Sequence, residues 1–381
     1  MSNRTPAEVF PPGEFIRDEL SERGWTQSDL AQIMGRPVSA ISLIMTGKKS
    51  VTPETAVELS QAFGTSPEFW LNLESAYQLW RVTTAQTAAG MNAIRDRAKL
   101  FESAPVKEME RRGWIRPTSS IDGLRHQLNA FFSAVPVVDK LRVAARTSVQ
   151  SNELNAEQLA WCLRALQLAK SVPAKNYSDK AFDEGILKLR GLADFPENVR
   201  RVPKVLSEMG IRFVLVEHLP KSKIDGAALW LGDGWDKPVV ALSLRYDRID
   251  SFWHTLLHEC AHIKNKDSYV LDVDLVGADR CLSKDALSEV EARANKEASD
   301  MLIPSEKLQS FIVRTRPFYY RSKIIQFANL IKLHPGIIAG QLQHRGEIDW
   351  SANREMLVKV RDILISAAMT DGWGVRISKA T

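Results

Sequence analysis

Over the first 80 residues apolar positions recur three and four apart in short bursts, the pattern of short amphipathic helices. Thr26–Gly35 opens on a threonine with an aspartate three residues later, a capping-box start, carries Leu30, Ile33 and Met34 as its apolar stripe and stops at Gly35. Ser39–Gly47 is a second short helix, with Ile41 and Ile44 inward and Gly47 as its stop. Two such helices joined by a tight glycine turn predict a helix-turn-helix. Pro53–Phe63 and Ser66–Leu73 add supporting helices. Further on, the period changes. Gly210–Glu217, Asp225–Leu231 and Pro238–Leu244 are β-branched or alternating apolar runs bounded by Gly, Pro and Asp, which predicts a small sheet. Helical spacing returns over Ser251–Lys266, Ser288–Pro304, Ser322–Leu333 and Met356–Ala367. Between residues 81 and 195, Leu159–Ala169 and Phe182–Leu192 are helical in pattern, punctuated by Val135–Val138 and Ser171–Ala174, and the segment reads as a helical linker domain.

The helix over Ser251–Lys266 is apolar through Trp253, Leu256, Leu257, Ala261 and Ile263, yet it contains His258-Glu259-Cys260-Ala261-His262. Two histidines four apart project from one helical face, the spacing at which two imidazoles share one Zn²⁺. Glu259, rotated off that face, is placed to act as a general base. A catalytic zinc needs a third protein ligand. No close Gly and His follow the motif, so the third ligand is expected to be a carboxylate on a later helix. Glu291 is that residue in Ser288–Pro304; Glu289 competes but lies about 200° around the helix from it. His254, one turn before His258, is a candidate for steadying a developing oxyanion or supporting a ligand, and Tyr319 and Tyr320 are weaker candidates.

The run Phe252–His262, the stretch Glu291-Ala-Arg-Ala-Asn295 and the ending Met301-Leu-Ile-Pro304 resemble the ImmA/IrrE family of zinc metallopeptidase domains. The resemblance covers about residues 200–345, including the strand-like runs upstream and Leu333–Leu342 downstream. Cys260, where a bulkier apolar residue is usual, and the polar Lys264-Asn265-Lys266 depart from the family pattern without touching the ligand positions. The resemblance implies a zincin-like domain that hydrolyses a peptide bond in a protein substrate such as a repressor. Residues 8–80, from Pro12-Gly13-Glu14 through Trp70-Leu71-Asn72, resemble the Cro/repressor-type helix-turn-helix of HigA antitoxins. That resemblance implies a DNA-binding regulator, and as the alternative function a non-catalytic antitoxin or repressor whose zinc domain binds a toxin or a signal.

The second helix of a helix-turn-helix should set its first residues against base edges. Here those residues are Pro37, Val38, Ser39 and Ser42, none of them an Arg, Asn or Gln suited to bidentate base contacts. Ser39 and Ser42 remain the candidates for base contact, and Gln27, Arg36, Lys48 and Lys49 for phosphate contact. Residues 1–80 hold six Lys/Arg and ten Asp/Glu, a net of −4, whereas residues 81–200 are net +6 and the remainder +3. Such an acidic domain is expected to bind DNA as a homodimer on a palindromic operator, largely through phosphates. Three cysteines, Cys162, Cys260 and Cys281, lack CxxC spacing and fit reduced thiols in a cytoplasm. Charges at Arg4, Glu8, Glu14, Arg17 and Asp18 leave no signal-like apolar stretch, and no eighteen-residue apolar run spans a membrane.

The expected architecture is α+β and mostly helical. A five-helix helix-turn-helix domain covers residues 1–80, a helical linker domain 81–195, the zincin-like domain with its small sheet 196–345, and a C-terminal helical extension 346–381.

Overall fold

The computed structural model describes residues 9–85, 88–134, 154–232, 234–267, 270–273 and 289–374. Arg4, Glu8, the Val135–Val138 punctuation and Cys281 lie outside them. The chain forms two compact units, Met1–Ala98 and Lys99–Thr381.

The first unit is built on α1 (Pro12–Arg23), α2 (Gln27–Ile33), α3 (Val38–Met45), α4 (Pro53–Phe63) and α5 (Pro67–Ala85). Each boundary has a local cause. Thr26 and Asp29 form the reciprocal capping box expected of them, with the Thr26 amide on the Asp29 carboxylate at 2.7 Å. Gly24 and Gly64, at φ of 65° and 72°, take the left-handed conformation that ends α1 and α4. Inside lie Ile16, Leu20, Leu30, Ile41, Ile44, Leu59, Phe63 and Trp70. A Cβ added at Gly13 would fall 2.1 Å from the Met45 carbonyl oxygen, so glycine is what lets α1 close on the end of α3. Ile33 is not in this core: α2 buries Leu30 and Ala31, and Ile33 turns outward at 50% exposure.

Within α6 (Ala88–Ser103) the chain passes into the second unit, which continues with α7 (Val106–Arg111), α8 (Ile121–Ser133), α9 (Ala156–Ala169), α10 (Asp179–Arg190) and α11 (Val202–Glu208). A mixed sheet follows, of β1 (Arg212–Val216), β2 (Ile224–Trp230), β3 (Pro238–Leu242), β4 (Val270–Val273) and β5 (Met369–Asp371), in the order β4-β2-β3-β1-β5. β1 runs parallel to β3 and β5, and β2 antiparallel to β3 and β4. Long helix α12 (Ile249–Lys264) precedes β4; α13 (Glu289–Leu302), α14 (Ser305–Thr315), α15 (Arg321–Ile331), α16 (Pro335–His344) and α17 (Arg361–Ile365) come before β5.

Side chains alternate across a strand, and here both faces are covered. Phe213, Leu215, Ala228, Trp230, Val240 and Leu242 pack with the α12 side. Val214, Val216, Ala227, Leu229, Val239 and Ala241 pack with α9. The four-part division expected from the sequence therefore gives way to two units. The segment read as a linker supplies one whole layer of the second unit, because α9 buries Leu159, Trp161, Cys162, Leu163, Ala165 and Leu166 rather than a single stripe. Polar anchors fix that layer. Trp161 Nε1 donates to the Val216 carbonyl at 2.9 Å, and Arg112 donates to the carbonyls of Glu217 and His218 at 2.7 and 2.9 Å. The C-terminal extension is likewise part of the unit, since β5 completes the sheet.

Replacing fully buried Trp161 by alanine should cost about 3–5 kcal/mol of stability, read from denaturant unfolding. A loss below about 1 kcal/mol would mean that α9 is an appendage and not a layer of the core.

Candidate functional site

 In the second unit, α12 crosses the core with every residue from Ile249 to Ile263 buried except His254; His258, Glu259 and His262 are at 0% exposure. Imidazoles and a carboxylate are costly to hold away from water unless something inside compensates them. The spacing places His258 Nε2 and His262 Nε2 2.9 Å apart. α13 supplies the third group. Its buried stripe of Ala294, Ala298 and Leu302 packs on α12, and the small alanines allow close approach. Glu291 extends the stripe by one turn, which puts its Oε2 3.4 Å from His258 Nε2 and its Oε1 3.7 Å from His262 Nε2. Glu289, on the exposed side of α13, is not in the cluster. Among the described residues His258, His262 and Glu291 form the one group of three whose ligand atoms all lie within 4.8 Å of one another.

The donor set fits zinc. A Zn²⁺ held at about 2.0–2.2 Å by nitrogen and oxygen donors in a tetrahedron sets those donors about 3.3–3.6 Å apart, and the observed separations bracket that span. Cys260 adds no donor, since it packs in the hydrophobic core and burial pushes its thiol up to about 12.

Three features of the site were not found from the sequence. Lys266, at φ 55°, turns the chain back after α12, so the Asp267 amide donates to the His262 carbonyl at 3.0 Å. The Asp267 carboxylate then lies 2.9 Å from His262 Nδ1, which places a proton on Nδ1 and leaves the Nε2 lone pair for a ligand. Burial pushes the Asp267 carboxyl up, but the hydrogen bonds from His262 and Arg293 outweigh it and hold the group below its ordinary value. A carboxylate five residues beyond the second histidine was the available signal. The second feature is Gly226. β2 shifts register between Ile224 and Gly226, and a Cβ at Gly226 would fall 2.2 Å from Glu259 Oε1, so the glycine makes room for the carboxylate. The third is His344, whose ring centroid lies 5.8 Å from that of His254; His254 in turn is 6.1 Å from His258. Tyr319 donates to Glu347 at 2.6 Å and Tyr320 stacks on Phe318.

In the first unit, α3 buries Ile41, Ile44 and Met45 and turns Val38, Ser39, Leu43 and Thr46 outward, with Ser42 half-buried between them. Gln27, Lys48 and Lys49 are exposed. Arg36 differs from expectation: its guanidinium forks onto Glu58, with Nη2 to Oε1 at 2.9 Å, so its charge is engaged within the domain.

Residues 16–70 match the helix-turn-helix family. Among similar proteins, the HTH-type transcriptional regulator YddM of Escherichia coli K12 is 34% identical over 84 residues, 22% of this chain and 86% of the relative. Antitoxin HigA-1 of Vibrio cholerae is 36% identical over 80 residues, 21% of this chain and 72% of the relative. The chain belongs to the helix-turn-helix family. Among solved structures, Pseudomonas aeruginosa antitoxin HigA with the higBA promoter is 30% identical and covers 20% of this chain and 86% of its own, at a TM-score of 0.20. PA4674 of the same organism, in complex with its operator DNA, is 29% identical and covers 22% and 89%, at a TM-score of 0.21. Among the described residues no helix is long and apolar enough to cross a membrane.

Asp267→Asn should weaken zinc binding about 10- to 100-fold in a chelator competition while the fold is retained, because the amide no longer fixes the His262 tautomer. Unchanged affinity would show that Asp267 does not orient the ligand.

Proposed function

We propose that the chain is a DNA-binding regulator whose second unit is a zinc-dependent peptidase acting on a protein substrate such as a repressor. The observation that carries the peptidase reading is the convergence of His258, His262 and Glu291 beside a fully buried Glu259. His258 and His262 would hold Zn²⁺ through Nε2 and Glu291 through its carboxylate. When bound, the ion supplies a Lewis acid for attack of water on a peptide carbonyl. The Glu259 carboxylate would take the proton from the attacking water and return it to the departing amine. Gly226 keeps the Glu259 carboxylate seated, and Asp267 holds His262 in the tautomer that ligates. The resemblance of residues 200–345 to the ImmA/IrrE family supports the same chemistry.

The DNA-binding part rests on family membership and on the exposed outward face of α3, with Lys48 and Lys49 beside it as phosphate contacts and Gln27 at the start of α2. A homodimer on a palindromic operator would supply avidity that one acidic domain lacks. A second reading is favoured by the likeness to HigA antitoxins. In it the second unit binds a toxin or a signal and the metal is structural.

Glu259→Gln separates the two readings. The variant should keep its zinc, measured by metal analysis, and lose cleavage of candidate repressors by at least about 100-fold, the scale of general-base catalysis. Cleavage equal to that of the unmodified chain would remove Glu259 as the base; a zinc-loaded chain that cleaves no candidate favours the regulator without peptidase activity.

A further inference from the structure

We infer that α3 reads DNA by apolar contact, with Val38 and Leu43 recognising the 5-methyl groups of thymine in the major groove. The inference rests on the DNA-binding reading above and names what that face would recognise. The sequence of α3, Val-Ser-Ala-Ile-Ser-Leu-Ile-Met, has no arginine, lysine, asparagine or glutamine. Its inner face is committed to the core through Ile41, Ile44 and Met45, and the Gly13 contact with the Met45 carbonyl fixes how the helix lies on α1. What remains outward is three hydroxyl residues and two branched apolar side chains, Val38 at 45% and Leu43 at 43% exposure.

Those outward groups differ in what they can distinguish. A serine or threonine hydroxyl donates or accepts and so pairs with either kind of base edge. Thr46 is further engaged, its hydroxyl donating to the Ser42 carbonyl at 2.8 Å. A thymine carries a methyl group in the major groove that cytosine lacks, and an apolar side chain is the natural partner for it. Single exposed apolar residues are common on protein surfaces. Here two of them flank the hydroxyls on the face that a helix-turn-helix turns to the groove, and no side chain of α3 offers a bidentate alternative. The chain is therefore expected to select sites with thymines at fixed positions in each half-site.

The test uses the full chain. Duplexes are selected from a random pool by binding, and a selected duplex is resynthesised with each thymine replaced in turn by deoxyuridine. That change deletes the methyl and leaves every hydrogen-bonding group of the base in place. At one or more positions in each half-site, affinity measured by gel retardation should fall about three- to fourfold, the equivalent of one buried methyl. Val38→Ala or Leu43→Ala should bind the thymine and uracil duplexes equally at its own position, with an unchanged melting temperature because both side chains are half-exposed. Binding unaffected by deoxyuridine at every position, or a thymine preference that survives both substitutions, overturns the inference and leaves DNA binding standing. Failure to select any duplex removes the DNA-binding reading itself, and the face is then a protein-contact surface.

Discussion

The second unit is organised around the cost of burying His258, Glu259 and His262 in the middle of an apolar helix. Polar rings and a carboxylate at full burial need partners, and the neighbouring elements are arranged to supply them. α13 approaches through alanines so that Glu291 reaches the two imidazoles. The chain reverses at Lys266 so that Asp267 reaches His262. β2 places a glycine where the Glu259 carboxylate lies. A cation between the imidazoles and Glu291 would offset much of the remaining cost.

The same helix explains why the unit is layered as it is. α12 must be covered on the side away from the sheet, and α16 does so closely: a Cβ at Gly340 would fall 2.3 Å from Asp250 Oδ2. Arg248 in turn donates to Asp250 and to Gln343 of α16. On the far face of the sheet, α9 seals the strands against water. The site is thus held by rigid elements on both sides, which suits side chains that must keep a fixed geometry.

Much of this was legible in the sequence, for reasons that can be named. The four-residue histidine spacing and the Thr26–Asp29 capping box are local, and local geometry follows from helical period; Glu291 was legible only as a carboxylate on a later helix. Strands β1, β2 and β3 were marked by apolar runs between turn residues, whereas the short β4 and β5 carried no such mark and the C-terminal segment read as helical. What stayed hidden depends on contacts between distant segments. Asp267 is near His262 only because a lysine adopts a left-handed turn. Gly226 matters only because β2 lies against α12. The reading of residues 81–195 as a linker failed for a related reason. Leu159–Ala169 looked like an amphipathic helix, and only the strands reveal that most of its circumference is buried. Arg36 looked available for phosphate until Glu58, 22 residues later, was seen to engage it.

The most direct test of the central claim is X-ray absorption at the zinc edge of the purified, zinc-loaded chain. Two imidazole nitrogens at about 2.0–2.1 Å with the remaining positions filled by oxygen, and no sulfur, is the result expected for His258, His262 and Glu291. A sulfur shell at about 2.3 Å, or fewer than two imidazoles, would contradict the donor set and with it the account of why these buried groups are held together.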